Sequence, residues 1–353
     1  MATLHDWLTR HADELDQSEA LADEVMPALA AHGCFRAGVP AALGGDGGDV
    51  RDAILGIAEV ARLSVTAAFV YWGQRSFIEY LLQSPNAALR ERLLPELLDG
   101  SLAGASGLSN AMKFLSGMEP LQINATPDGD GWTLDGKLAW VTNLRPQRFV
   151  AAAAVAPVNG APAAVVTFAS DDSGVQRSVN LQLIAMRGSH TAAVCLEQVA
   201  VDAGNIITSQ APEWLPRVRP AFLGMQCGMS IGLAQASLKQ AARVAASARG
   251  QLGDQIAAAQ RVLAEHTQLL LDGVADGRFV EAAPAMFRLR ITLAELVQQA
   301  LTLELQAKGG HAYLQQEQDG FARRWRESAF IPVITPSITQ LQAALAKHAA
   351  TAA

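Results

Sequence analysis

Trp140 and Thr142, in LAWVTN, sit two residues apart, so a strand would turn an aromatic ring and a hydroxyl to one face. Such a pair can cover a flat heterocycle and hydrogen-bond its edge, although ordinary strand packing uses the same residues. Arg249 precedes Gly250 at the end of a long helical stretch, where the helix dipole favours a cation; it is either a cap or a ligand for an anion. LQAKGGHAYL has the same form: Gln306 and Lys308 close a helix, and Gly309 and Gly310 bare their backbone amides. Gly224, Gly228 and Gly232 recur every four residues, and close packing of another helix accounts for that spacing better than a ligand does. GVPAALGGDGGD, residues 38–49, has neither the GxGxxG of a strand-to-helix junction nor the Lys-Ser/Thr of a phosphate loop, so it reads as a turn. The histidines show no Ser/His/Asp order and no HExxH pair; His190, after Ser189, and His311, beside the double glycine, are the two best placed for chemistry.

The elements that must hold these residues fall into three blocks. Up to about residue 102, apolar residues recur at helical spacing (Leu4, Trp7, Leu8; Leu21, Val25, Met26, Leu29), with further helices over Val50 to Leu63 and from Ser76 to Leu98. From 103 to 206 the texture is β: GWTLDGKLAWVTN alternates around an expected Asp-Gly turn, followed by FVAAAAVAP, AAVVTFAS and AAVCLEQVAV. From 207 to 353 the helical period returns in segments near 219–249, 254–276 and 281–308, with a last helix after RESAFIPVITPSITQ. These spans, 1–102, 103–206 and 207–353, are the expected domains.

With 353 residues, half of them apolar, the chain has ample core for such a plan. A net charge of −7 without a Lys/Arg run excludes nucleic acid as the expected partner. Cys34, Cys195 and Cys227 are three in number, far apart and without metal spacing, so they read as reduced thiols and no metal is expected. The N-terminus lacks an apolar core, which predicts a cytoplasmic protein. Ala221 to Ala236 falls short of the roughly 20 apolar residues of a membrane span and reads as a buried helix.

In order along the chain, AAHGCFRAGVPAALGGDGG, LLPELLDGSLAGASGLS, NATPDGDGWTLDGKLAWVTN, LIAMRGSHTAAVCLEQVAVDAGNII, ARGQLGDQ, and LQAKGGHAY with RRWRESAF resemble the successive signatures of the acyl-CoA dehydrogenase superfamily. The resemblance implies an α+β fold: an N-terminal helical domain, a middle β-barrel or sandwich, and a C-terminal four-helix bundle. It also implies FAD and a homodimer or homotetramer. Carried over by position, Trp140 and Thr142 would lie against the flavin, and Ser109 at its edge. Arg249, Leu252, Gln306, Gly309 and Gly310 would reach the cofactor across a subunit interface, and Ser337 falls at the threonine of the family's Tyr-Glu-Gly-Thr loop, a further cofactor contact. Tyr71, Trp72, Gln74 and Arg75 would line the substrate pocket, as would Arg219.

The pattern breaks at the base. Removing the proton α to a thioester needs a positioned carboxylate, yet alignment on Arg326-Glu327-Ser328 puts Thr335 where the family has its glutamate. A threonine hydroxyl is too weak a base near neutrality. The alternative base position, before Arg219, holds Val218. LSNAMKFLSG also lacks the Pro and Asp of the passage that helps to hold acyl-CoA. Three functions follow from the resemblance. One is a flavoprotein oxidising an acyl thioester or related substrate. Another is a flavin-dependent monooxygenase, with Thr335, Ser337, His190 or His311 steadying an oxygen. The third is a non-catalytic subunit that completes a paralogue's site. The electron acceptor is left open.

Overall fold

The structure is a computed structural model that describes residues 3–115, 117, 119–248, 252–314 and 319–352. Five helices come first: α1 (Leu4–Gln17), α2 (Ala22–Ala31), α3 (Val50–Ala61), α4 (Val65–Leu82) and α5 (Ala87–Asp99). α4 is buried along nearly its whole length because it runs through the middle of this block, where its apolar side chains pack and its polar ones, Gln74, Arg75 and Glu79, find hydrogen-bond partners. α1 is amphipathic, burying Leu8, Ala12 and Leu15 and exposing its acids, with Asp16 the exception.

The middle of the chain supplies β1 (Ala103–Ser106), α6 (Ser109–Leu115), β2 (Ile123–Asp128), β3 (Gly131–Val141), β4 (Phe149–Pro157), β5 (Ala164–Ala169), β6 (Val175–Arg177), β7 (Ala192–Val201) and β8 (Ile206–Thr208). The strands join in the order β6-β7-β3-β2-β4-β5-β8, with β1 added in parallel to β4. Between β2 and β4 the sheet is joined by a short parallel pairing at Asn124 and Ala125.

One expectation is corrected here. Asp135-Gly136 is not the hairpin turn: β2 and β3 are joined at Gly129-Asp130, and Asp135-Gly136 lies inside β3 at a register shift against β7. A Cβ on Gly136 would lie 2.3 Å from the carbonyl oxygen of Gln122, so glycine is required there by a close backbone approach. Asp135 meanwhile accepts from the backbone N–H of Gln198 across the irregularity (2.9 Å). An Asp-Gly pair serves a bulge as readily as a turn.

The C-terminal block is α7 (Ala211–Ala248), α8 (Gly253–Ala275), the single turn α9 (Arg278–Glu281), α10 (Ala283–Lys308), α11 (Phe321–Ser328) and α12 (Ile338–Ala352). α7 is the axis, packing on α3, α8 and α10, and α12 closes against α10. The helix begins at Ala211 rather than near 219, running through Pro216 and Pro220. Gly224, Gly228 and Gly232 face α3: Cβ atoms there would meet Ile54, Ile57 and the carbonyl oxygens of Ile54 and Ala58. The glycine row is therefore a helix-packing device. Gly232→Ala would put a methyl 2.1 Å from Ala58 O, forcing α3 and α7 apart. The expected loss is about 1–3 kcal/mol, read as a lowered denaturation midpoint at unchanged slope. Among the described residues no helix is long and apolar enough to cross a membrane, and no cluster of His, Cys, Asp and Glu is placed to hold a metal.

Candidate functional site

A cavity of about 520 Å³ opens where the three blocks meet. Its walls are Phe69 and Trp72 of α4, Ser106 to Lys113 at the end of β1 and in α6, Leu138 to Thr142 at the end of β3, the segment 183–191, and Arg326 to Thr335 in and after α11. Hydroxyls and large apolar groups alternate around it: Ser106, Ser109, Thr142, Thr191 and Thr335 supply the former. Among the described residues neither an acid nor a histidine lines it.

Gln74 positions much of this wall without touching the cavity. Its side-chain amide donates to the carbonyl oxygens of Leu97 (2.8 Å) and Leu102 (2.9 Å), and its oxygen accepts from Gly104 N and from Asn143 Nδ2 (3.0 Å). Asn143, at φ 61°, turns the chain out of β3 and ties the turn to Gly104 O, fixing Thr142 beside it. Thr142 donates its hydroxyl proton to Ser189 O (3.2 Å). The expectation that Gln74 and Arg75 line a substrate pocket is thus corrected. Both are fully buried, and Arg75 is spent on the carbonyl oxygens of Ala37 and Gly38 and on Glu79. A buried amide or guanidinium must be satisfied locally, and the surrounding backbone satisfies these. Tyr71 also lies in the core, edge-on to Phe35.

The opposite wall hangs on α11. Arg326 lines the cavity and donates to Asp16 Oδ2 (2.7 Å), whose other oxygen accepts from the N–H of Met186 in the 183–191 segment (3.0 Å). Asp16 so holds two cavity walls together, and burial pushes its carboxyl above the ordinary range. Glu327 accepts from Val65 N and Thr66 N at the start of α4 and from Arg323 Nη1 (3.0 Å). Thr335 is held by its carbonyl, which accepts from Gln226 Nε2 (2.8 Å). The second cation of the lining, Lys113, pairs with Glu119 (3.1 Å).

Of the residues marked by sequence, Trp72, Ser109, Trp140, Thr142 and Thr335 come together in this one cavity. Four others are elsewhere, and their assignments are corrected. Ser337 accepts from Gln340 N (3.3 Å) while Gln340 Oε1 accepts from Ser337 N (2.7 Å), a capping box at the start of α12. Arg219 lies beside a separate void of about 10 Å³, 5.4 Å over the Phe287 ring. Burial lowers its pKa. His190 pairs with Asp23 (3.1 Å), and His311 is exposed at the end of α10. Leu252 precedes α8, and Gln306, Gly309 and Gly310 end α10; none of these lines the cavity of the single chain. Arg249 lies outside the described residues. Sequence reasoning missed Ser106, Lys113, Thr191 and Arg326. All four stand in quoted segments, but only the fold brings them to one cavity.

The lining can hold a flavin. Trp140 is 66% exposed, Ile184 81% and Val333 61%, although all three line a cavity. Large apolar side chains left bare around a concave wall call for a flat apolar cover, and the adjacent hydroxyls can bond its polar edge.

Residues 2–101 match the family model "Acyl-CoA dehydrogenase, N-terminal domain". A probable acyl-CoA dehydrogenase of Mycobacterium leprae is 27% identical over 71% of this chain and 65% of its own length, so the chain spans just under two thirds of such curated relatives. Among solved structures, a glutaryl-coenzyme A dehydrogenase in complex with glutaryl-CoA superposes with a TM-score of 0.79 at 18% identity, covering 97% of this chain and 93% of that one. KijD3, solved with FMN and a dTDP-linked amino-keto sugar, has a TM-score of 0.79 at 18% identity, covering 99% and 91%. At such identities these structures share the fold.

Proposed function

From residues 2–101, which carry the N-terminal domain of the acyl-CoA dehydrogenases, and from the fold held in common with that superfamily, we propose that the chain is a flavin-dependent oxidoreductase acting on an acyl thioester or related substrate. The observation that carries this reading is the bare apolar surface of Trp140, Ile184 and Val333 around a cavity of about 520 Å³, within the volume range of cofactor sites. Bound there as FAD, the flavin would accept two electrons and a proton's equivalent from the substrate as hydride. Trp140 would lie along the ring, with Thr142 and Ser109 at its polar edge. Arg249, Leu252, Gln306, Gly309 and Gly310 would serve a second copy's site in a homodimer or homotetramer, and the units 1–102, 103–206 and 207–353 would flank the cofactor. Lys113 and Arg326 are the cations of the lining, each paired with a carboxylate, Glu119 and Asp16, that an anionic ligand such as acyl-CoA would have to share. A cytoplasmic place in lipid metabolism is part of the same proposal.

A second reading has its own observation. Among the described residues no acid or imidazole is in the lining, so none of them there would accept a proton α to a thioester. Oxygen insertion, in which reduced flavin and O₂ supply the reactive oxygen, makes no such demand, and Thr335 is the one residue of the four candidates placed to hydrogen-bond there. The KijD3 sugar ligand is consistent with the fold admitting substrates other than thioesters.

Purified protein reconstituted with FAD is expected to retain it, and Trp140→Ala to weaken retention by up to about tenfold, the worth of one aromatic stacking contact. Anaerobic mixing with acyl-CoAs of graded length then separates the readings: bleaching of the flavin by the substrate supports oxidation of a thioester, whereas no bleaching, with product formed only when the flavin is first reduced by an added reductant and then mixed with O₂, supports insertion. A protein that retains no flavin at any concentration would sink both and leave the role of a non-catalytic partner to a paralogue.

A further inference from the structure

Tyr80, in α4, is fully buried and edge-on to Trp214, with ring centroids 5.8 Å apart. Its phenol oxygen lies 2.6 Å from Ser106 Oγ, its one hydrogen-bond partner among the described residues. A buried phenol must place its single proton on an acceptor, and Ser106 Oγ is the acceptor within reach. If Ser106 donated instead, the phenol proton would point into apolar core at the cost of an unmade bond. Tyr80 is therefore the donor. The backbone N–H of Leu108 points at the same serine oxygen from 3.5 Å. Ser106 thus receives from behind, and no bond from its own proton to another acceptor is seen among the described residues, while the residue forms part of the cavity wall.

We infer that Ser106, oriented by Tyr80, is a directed O–H donor to an acceptor atom on the edge of the flavin ring. The inference rests on the proposed flavin site, and it adds a donor to the same β1–α6 segment that carries Ser109. Burial pushes the Tyr80 phenol far above its ordinary value, so it stays protonated through the usable pH range and the arrangement does not titrate away. Ser106 would touch the cofactor; Tyr80 would act through it as a positioning residue.

The test uses the full chain loaded with FAD. Ser106→Ala is expected to shift the visible flavin bands and to weaken FAD binding about five- to tenfold, the size of one hydrogen bond. Tyr80→Phe is expected to move both readouts the same way by less, and the double variant to match Ser106→Ala, because the phenol acts only through the serine. Ser106→Thr, which keeps the hydroxyl, should restore the parent spectrum. Ser106→Ala also strands the phenol proton, so adding Tyr80→Phe to it should recover thermal stability. If that stranded proton keeps Ser106→Ala from folding, the Tyr80→Phe and Ser106→Thr proteins carry the comparison. A parent that retains FAD while these variants leave spectrum and affinity unchanged, or combine additively, overturns the inference alone. A parent that retains no FAD overturns the site beneath it as well.

Discussion

Thr335→Glu is expected to confer α-proton exchange and flavin bleaching with acyl thioesters, at rates about 10²- to 10⁴-fold above the parent, the usual worth of a positioned general base. Thr335 is in the cavity wall, and its backbone is fixed from behind by Gln226 and from upstream by the bonds of Arg326 and Glu327. A carboxylate there would emerge among Phe330, Val333 and Ile334, an apolar setting that raises its pKa toward neutrality and makes it a better base. Exchange of α-protons with deuterated solvent reads proton removal alone, and anaerobic bleaching reads the complete oxidation. Thr335→Gln has nearly the same bulk and no charge, so it should gain nothing. If the glutamate variant stays blank across all chain lengths while retaining flavin, the α-carbon is not presented to position 335, and oxygen insertion becomes the reading to pursue.

How much of this was legible in the sequence depends on the range over which each signal acts. The glycine row at 224, 228 and 232 is a local periodicity that the structure keeps, whereas Trp140 and Thr142 both reach the cavity across a strand irregularity between Leu138 and Val141 rather than by plain alternation. Asp135-Gly136 is equally local but ambiguous, because a turn and a strand irregularity make the same demand on the backbone. Gln74 could not have been read correctly from its neighbours. Its four partners lie in α5, at the α5–β1 junction, in β1 and just past β3, and their convergence exists only once α4 is threaded between them. Ser337 shows the reverse failure: Ser-Ile-Thr-Gln is a capping box on its face, yet alignment to a cofactor-contacting threonine outweighed the local chemistry. The acid-free lining joins both ranges, since Thr335 and Val218 are legible as missing bases, whereas the lack of a substitute from elsewhere needs the whole wall.

Glu327→Ala should be the most destabilising of the single changes considered. The side chain is completely buried, and its loss would strand Val65 N, Thr66 N and the Arg323 guanidinium, which among the described residues would keep Asp13 (3.1 Å) as its ion-pair partner. Breaking a buried pair from one side costs about 3–5 kcal/mol, against about 1 kcal/mol for an ordinary cap. For a chain of this size that lowers Tm by about 4–7 °C. The same residue gives the parent a pH dependence. Burial, with a smaller push from Asp16, raises the carboxyl to about 7 from an ordinary 4.5, despite the opposing pull of Arg323 and the two N–H groups. The folded chain therefore holds the proton more tightly than the unfolded chain does. Below about 4.5 both forms carry it. As pH climbs from there through 7 the unfolded form loses it first, and stability falls, by a few kcal/mol at most. Asp16, also raised by burial, acts in the same direction, and His190, lowered by burial, acts in the opposite one. Glu327→Gln isolates the contribution: an amide cannot titrate, so its stability profile between pH 4.5 and 7 should be flatter than the parent's. Parallel profiles would mean that Glu327 enters the folded protein as an ordinary carboxylate, paired strongly enough with Arg323 and the start of α4 to cancel its desolvation.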